Sequence, residues 1–318
     1  MLLKMIKNIK KNTNINFYFF ISFLIFLSFV FGLVRIIFFG PFISQKVNYG
    51  KDFWIYYETD THMYEYQKPL SNNELEAMRT SLRQQRDYFN SQGIDYYWLV
   101  APNSQSIYPE FLLDKFRSNK PNNRYDNFYS YLQSYPEKKI VIDVKEELLK
   151  NKKYNIPSEI RGLEGSSSST ILYYKQDIHW NYFGAYLAYS KILNELSEKH
   201  KCLKLLPITD FELKVAKSNS RLPVLKEIYP GSDINYVLSI DDSKNIKIQC
   251  PELKLVLVGD SMIATYMKKW LRLNFGEFTV IHKSIPLKEK LRRISEIKPD
   301  IIIEEGTERG MQDMFYNF

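Results

Sequence analysis

A doubly wound α/β domain with a mostly parallel sheet, preceded by one N-terminal transmembrane helix, is the fold class this 318-residue sequence predicts. Three observations predict it. The carboxyl third alternates strand-like and helix-like stretches, the pattern of a parallel sheet covered on both faces. Phe17 to Phe39 is an almost unbroken apolar run. Gly259-Asp260-Ser261 follows the apolar stretch Leu253–Val258, so a serine stands where a strand turns into a helix. That corner is the sheet edge at which α/β folds place their chemistry.

The elements follow in order. Residues 1–16 form a basic tail. Lys4, Lys7, Lys10, Lys11 and Arg35, with no acid among residues 1–35, account for +5 of the formal net charge of +8. The basicity is thus concentrated at the N-terminus, which argues against nucleic-acid binding. Phe17–Phe39 as a helix would be about 35 Å long, enough to cross a bilayer core. The lysines before it outnumber Lys46 and Lys51 after it, which predicts a cytoplasmic N-terminus and an extracytoplasmic bulk. Phe39-Gly40-Pro41-Phe42 offers no small-x-small cleavage pattern, so the span is expected to remain as an anchor.

Residues 40–70, aromatic and polar, are expected as a juxtamembrane connection with a short hairpin, and residues 71–318 as the catalytic domain. Ser71 with Glu74 fits a capping box opening a helix to about Ser91, which Gly93 can end. Ile94–Ala101 predicts a strand by its aromatic and β-branched content. A helix around Arg124–Ser134, a strand at Ile140–Ile142 and a helix from Asp143 to Asn151 come next. Gly165 and the serines 166–169 form a low-complexity loop. Thr170–Tyr174 reads as a strand leading into Asp177-Ile178-His179-Trp180, and Tyr182–His200 has helical apolar spacing. Short strands are expected across 203–250. Then strand 254–258, helix Ala264–Asn274, strand Phe278–Ile281, helix Leu287–Ile297 and strand Asp300–Ile303 complete the alternation.

A serine hydroxyl needs a base within hydrogen-bond reach to act as a nucleophile. His179 is the best candidate of four histidines for Ser261. His62 lies near the anchor, His200 ends a helix among charges, and His282, after a strand, is the rival. Asp177 would fix the tautomer of His179, provided the chain bends between them. Asp260 suits a bond within the turn. Trp180 suits either stacking on a sugar ring or plugging the space beneath the loop. The backbone N–H of Ser261 is a candidate oxyanion donor. Cys202 and Cys250 are the only cysteines, and pairing and two separate buried thiols are both open. Four scattered histidines and two distant cysteines lack metal-ligand spacing, and no cofactor is expected.

Several ordered blocks carry a family resemblance. Tyr173-Tyr174-Lys175-Gln176-Asp177-Ile178-His179-Trp180-Asn181, continuing through Gly184-Ala185-Tyr186, resembles the Asp-x-His-Trp block of SGNH-hydrolase-like polysaccharide O-acetyltransferases of the alginate acetylation type. Ala101-Pro102-Asn103 with Ser106-Ile107-Tyr108-Pro109-Glu110, Gly259-Asp260-Ser261, and Lys298–Glu304 with Glu308-Arg309 are similar to three further blocks of that family, in its permuted order. The sequence departs from the family pattern at Ser104, Ile178 and Met262, none of them in the inferred triad. The resemblance implies catalytic roles for Ser261, His179 and Asp177, substrate contacts at Trp180, Asn103, Tyr108 and Arg309, and a polytopic membrane acyltransferase partner that supplies acetyl groups.

The function expected is transfer of acetyl groups to hydroxyls of an envelope or secreted polysaccharide at the outer face of the cell membrane. A carbohydrate esterase using the same triad and a non-catalytic glycan-binding assembly protein are the alternatives.

Overall fold

Strands β1 (Val47–Tyr49) and β2 (Ile55–Tyr57) pair antiparallel at the start of the residues described by the computed structural model, which are 47–57, 69–116, 123–160, 169–175, 177–216 and 235–315. The expected tail and membrane span lie outside these residues. Among the described residues no helix is long and apolar enough to cross a membrane. The expected hairpin is present, and it packs into the domain. Trp54, Ile55 and Tyr56 are buried, and the Trp54 ring lies 5.2 Å from Tyr108 and 4.9 Å from Phe111. The packed unit therefore extends back to Val47.

Helix α1 (Asn72–Asn90) opens on the expected capping box, Ser71 with Glu74, and Gly93 turns the chain at φ +77°. Strand β3 (Asp95–Ala101) leads into the short helix α2 (Ser104–Ile107). Helix α3 (Arg124–Leu132) and strand β4 (Val141–Ile142) follow, and Asp143 caps α4 (Val144–Lys150). Strands β5 (Tyr154–Asn155) and β6 (Ser169–Thr170) pair antiparallel. The strand expected over 170–174 is replaced by a tight hairpin after β6, closed by the Tyr173–Trp180 bridge. Asn181 caps α5 (Tyr182–Lys199).

Strands β7 (Phe211–Ala216) and β8 (Asn235–Ile240) form a separate antiparallel pair. Strand β9 (Cys250–Gly259) is longer than expected, and the single helix expected after it is two, α6 (Ser261–Tyr266) and α7 (Lys268–Asn274), broken at Met267. Strand β10 (Phe275–His282), helix α8 (Leu287–Ile297) and strand β11 (Ile301–Thr307) complete the fold.

The central sheet runs β10-β9-β11-β3-β4 with every pairing parallel. Side chains alternate across a strand, so each strand feeds two cores. Leu99, Leu255, Leu257, Ile301 and Ile303 join the core that includes Trp180, Phe183 and Ile192. Trp98, Val100, Val256, Val258 and Ile302 join the core with Leu82, Phe128 and Ile294. Helices on both faces bury near-continuous apolar strands, each large side chain contributing about 1.5–3 kcal/mol. The sequence β3 to β4 moves outward one way and β9 to β10 the other, so their carboxyl ends flank the end of β11. Chemistry in open α/β sheets sits at such a divergence.

Cys202 and Cys250 form a disulfide, with Cα atoms 5.7 Å apart. It joins the loop after α5 to the first residue of β9, settling the alternative left open by the sequence.

Candidate active site

Gly259 ends β9, Asp260 caps α6 through its side chain, which accepts the Met262 N–H at 3.1 Å, and Ser261 is the first helical residue. The serine is thereby held at the sheet's carboxyl edge, half-buried and open to solvent. Its backbone N–H belongs to the first turn, whose donors have no partner within the helix.

The second half of the site comes from the hairpin at 172–181. The Tyr174 N–H donates to the His179 carbonyl at 3.2 Å and the Asn181 N–H to the Leu172 carbonyl at 2.8 Å. Asp177 and His179 occupy its tip. Asp177 Oδ1 lies 2.6 Å from His179 Nδ1 and also accepts the His179 backbone N–H at 3.3 Å. The required bend between the two residues is therefore present. His179 Nε2 lies 2.6 Å from Ser261 Oγ. A carboxylate is an acceptor only, so Nδ1 carries the ring proton and Nε2 is left to accept from the serine hydroxyl. Three residues from two distant stretches thus form one relay: Ser261 O–H to His179, His179 N–H to Asp177.

Each anchor of this relay has a physical cause. Gly184 lets α5 approach the hairpin, since a Cβ there would stand 2.3 Å from the Leu172 carbonyl oxygen. The Tyr108 hydroxyl accepts the Leu172 N–H at 2.9 Å, and the Tyr173 hydroxyl donates to the Pro102 carbonyl at 2.7 Å. Burial pushes both phenols up in pKa, so they stay neutral. Trp180 is fully buried and its indole N–H donates to the Met262 carbonyl at 2.9 Å. It joins the two halves of the relay from beneath. With no exposed ring face it is the plug of the two roles weighed for it, and sugar stacking is not available to it. The aromatic rings beside the relay are Tyr266, 6.0 Å from the His179 ring, and Tyr182, 5.1 Å from Tyr266.

The other residues expected to touch substrate are placed as follows. Tyr108 is a buried strut, as described. Asn103 follows β3 at the same sheet edge, with its backbone N–H held by Glu308 Oε2 at 2.9 Å. The Arg309 guanidinium lies 5.8 Å from the centre of the Tyr57 ring. The rival histidine does not approach the relay's roles. His282 is exposed and its Nδ1 pairs with Ser284 Oγ at 2.7 Å, while His200 Nε2 meets Asp95 Oδ2 at 2.8 Å. His62 lies outside the described residues.

Two buried acids have roles the sequence left unassigned: Glu308, quoted there only within the Glu308-Arg309 block, and Glu305. Glu308 accepts from Asn103, Ser106, Asn123 and Lys145, and Lys145 Nζ also lies 2.7 Å from Asp126. Burial works against the Lys145 charge, but Glu308 and Asp126 outweigh it and hold the ammonium protonated. Glu305, on β11, accepts the Asp260 N–H at 2.8 Å. The signal available in the sequence was acidic residues continuing directly from the apolar run Ile301–Ile303.

The fold and the relay together define an SGNH-hydrolase-like α/β domain with a serine–histidine–aspartate constellation at the carboxyl edge of its sheet. Residues 47–265 match the family model for the SGNH hydrolase-like domain of acetyltransferase AlgX, and the chain belongs to that family. It is an enzyme with an SGNH hydrolase-like acetyltransferase domain of the AlgX type. Among solved structures the chain is similar to Bacillus cereus PatB1 with a sulfonyl adduct, at a TM-score of 0.60 and 14% identity over 85% of this chain and 98% of that one. It is also similar to the O-acetyltransferase domain of Pseudomonas putida AlgJ, at a TM-score of 0.53 and 16% identity over 86% of this chain and 94% of that one. Identities this low speak for the fold alone. No match is found among curated protein sequences.

Proposed function

We propose that the chain is a membrane-anchored polysaccharide O-acetyltransferase that works through Ser261, His179 and Asp177. The observation that carries the reading is the unbroken relay from Ser261 Oγ to Asp177 in a member of an acetyltransferase family. His179 Nε2 takes the proton as Ser261 Oγ attacks the acetyl carbonyl of the donor. The tetrahedral oxyanion is met by the Ser261 N–H, a preorganised donor at the place where charge develops. Collapse expels the leaving group, protonated by His179, and leaves an acetyl ester on Ser261. A sugar hydroxyl then repeats the sequence: His179 removes its proton, the ester is broken, and Ser261 regains its hydrogen. Asp177 stabilises the imidazolium in both halves.

Asn103, on the same edge, is the position we assign to a contact with substrate, together with Arg309. The half-buried rings of Tyr174 and Tyr182 replace Trp180 as the surface on which a sugar would lie. Support for the anchor is the apolar run Phe17–Phe39 behind four lysines. An anchored domain sits beside a bilayer, and tethering raises its effective concentration toward a polytopic acyltransferase partner.

Deleting the protein should lower O-acetylation of a surface polysaccharide, with Ser261→Ala giving the same defect. Higher acetylation on deletion would identify an esterase instead. A defect on deletion that Ser261→Ala does not reproduce would favour the non-catalytic role. The anchor has its own check. A reporter fused after Phe318 should be active only outside the cytoplasm, and the mature chain should keep residues 1–39; a soluble form starting near residue 40 would refute it.

A further inference from the structure

Glu305 stands near the carboxyl end of β11, in the middle of the sheet, and none of its surface reaches solvent. It shares the parity of Ile301 and Ile303 and so lies on the face that carries the relay's core. Its Oε2 accepts the Asp260 N–H at 2.8 Å, and its Oε1 is buried with no hydrogen bond from any described residue. The neighbouring backbone leaves room for this carboxyl group: a Cβ on Gly259 would stand 2.5 Å from Oε2.

The surroundings fix its charge. Asp260 is kept ionised, because Lys283 Nζ at 2.6 Å and the Met262 N–H outweigh the effect of burial on its carboxyl. Lys283 is therefore already paired. Asp260 on the β9–α6 corner and Lys283 after β10 are the charged groups acting on Glu305, and its register partner on β3 is the apolar Leu99. A second buried anion beside Asp260 would have no cation of its own. Burial first and the Asp260 charge second push Glu305 up to about 8, against the Asp260 N–H and Lys283.

The residues on either side of Ser261 are held by this arrangement. Asp260 is fixed at its N–H by Glu305 and at its carboxylate by Lys283. Met262 is fixed at its N–H by Asp260 and at its carbonyl by Trp180. We infer that Glu305, as a buried neutral acid, is a positioning residue that sets the nucleophile corner through Asp260 without touching substrate. Ionising it places two anions against each other under Ser261 and disturbs the serine's aim. This rests on the reading of Ser261 as the nucleophile. Small misplacements of a reacting group cost rate more than binding, by up to about a hundredfold per ångström.

The test is turnover of p-nitrophenyl acetate by the full-length protein in detergent between pH 6 and 10, with Ser261→Ala as the blank. Wild-type kcat should fall above a pH of about 8 while KM stays nearly constant. Glu305→Gln keeps the size, accepts the Asp260 N–H and cannot ionise. It should retain kcat within about threefold at neutral pH and lose the alkaline fall. Glu305→Ala should lower kcat by about tenfold or more with little change in KM, following the positional argument. If the alanine variant fails to fold, the wild-type and glutamine profiles still decide. An unchanged alkaline fall in Glu305→Gln, no fall in the wild type, or loss of kcat at every pH in a folded Glu305→Gln would overturn the inference. Activity remaining in Ser261→Ala would instead overturn the reading of the nucleophile.

Discussion

Ser261, His179 and Asp177 share one chain of hydrogen bonds, so removing any link leaves the other two without a task. Alanine at each should lower acetyl-ester turnover by about a thousandfold or more, and the double variants should lose little beyond the singles. His282→Ala should keep near-wild-type turnover, since its ring serves the Ser284 turn. Steady-state kinetics on the four single variants and the doubles checks this, and loss with His282→Ala but not with His179→Ala would contradict the assignment. These three residues were legible because each chemistry-bearing group stood beside a local signal, an apolar run ending at Gly259 or a helix opening after Asn181. Trp180 was legible only as an aromatic of two possible uses. Its burial follows from packing between distant segments, which no local pattern encodes. Glu305 was hidden for the same reason, since an acid in the sequence shows neither its burial nor its missing counterion.

At the level of elements, the alternation of the carboxyl third gave the parallel sheet correctly, capping residues gave α1 and α4 to within a residue or two, and helical apolar spacing gave α5. The errors fall where tertiary contacts override local preference. The strand expected at 170–174 is a hairpin because the Tyr108 hydroxyl accepts the Leu172 N–H, the Asn181 side chain donates to the Ile171 carbonyl, and the Tyr173 hydroxyl ties the hairpin to the Pro102 carbonyl. Strand β11 runs on past Ile303 through Glu304 and Glu305, where the Tyr96 hydroxyl bonds Glu304 and the Asp260 N–H bonds one carboxyl oxygen of Glu305. The disulfide works at this scale. Cys202 follows α5 and Cys250 begins β9, so the bond ties the far ends of the two elements that carry the halves of the relay. Replacing both cysteines by serine should destabilise the domain by about 2–4 kcal/mol, as expected for closing a loop of this size. Thermal unfolding with and without reductant reads this out, and equal midpoints would show that the bond contributes nothing.

For the whole molecule, the proposed function requires that one serine at the edge of the sheet carry an acetyl group from a donor to a sugar. The direct measurement is peptide mass spectrometry of the full-length protein after brief exposure to p-nitrophenyl acetate, with and without an oligosaccharide acceptor. The expected result is one acetyl group on Ser261, its absence in Ser261→Ala, and its discharge onto a sugar hydroxyl when the oligosaccharide is added. An unmodified Ser261 in a protein that still transfers acetyl groups to the oligosaccharide would contradict it.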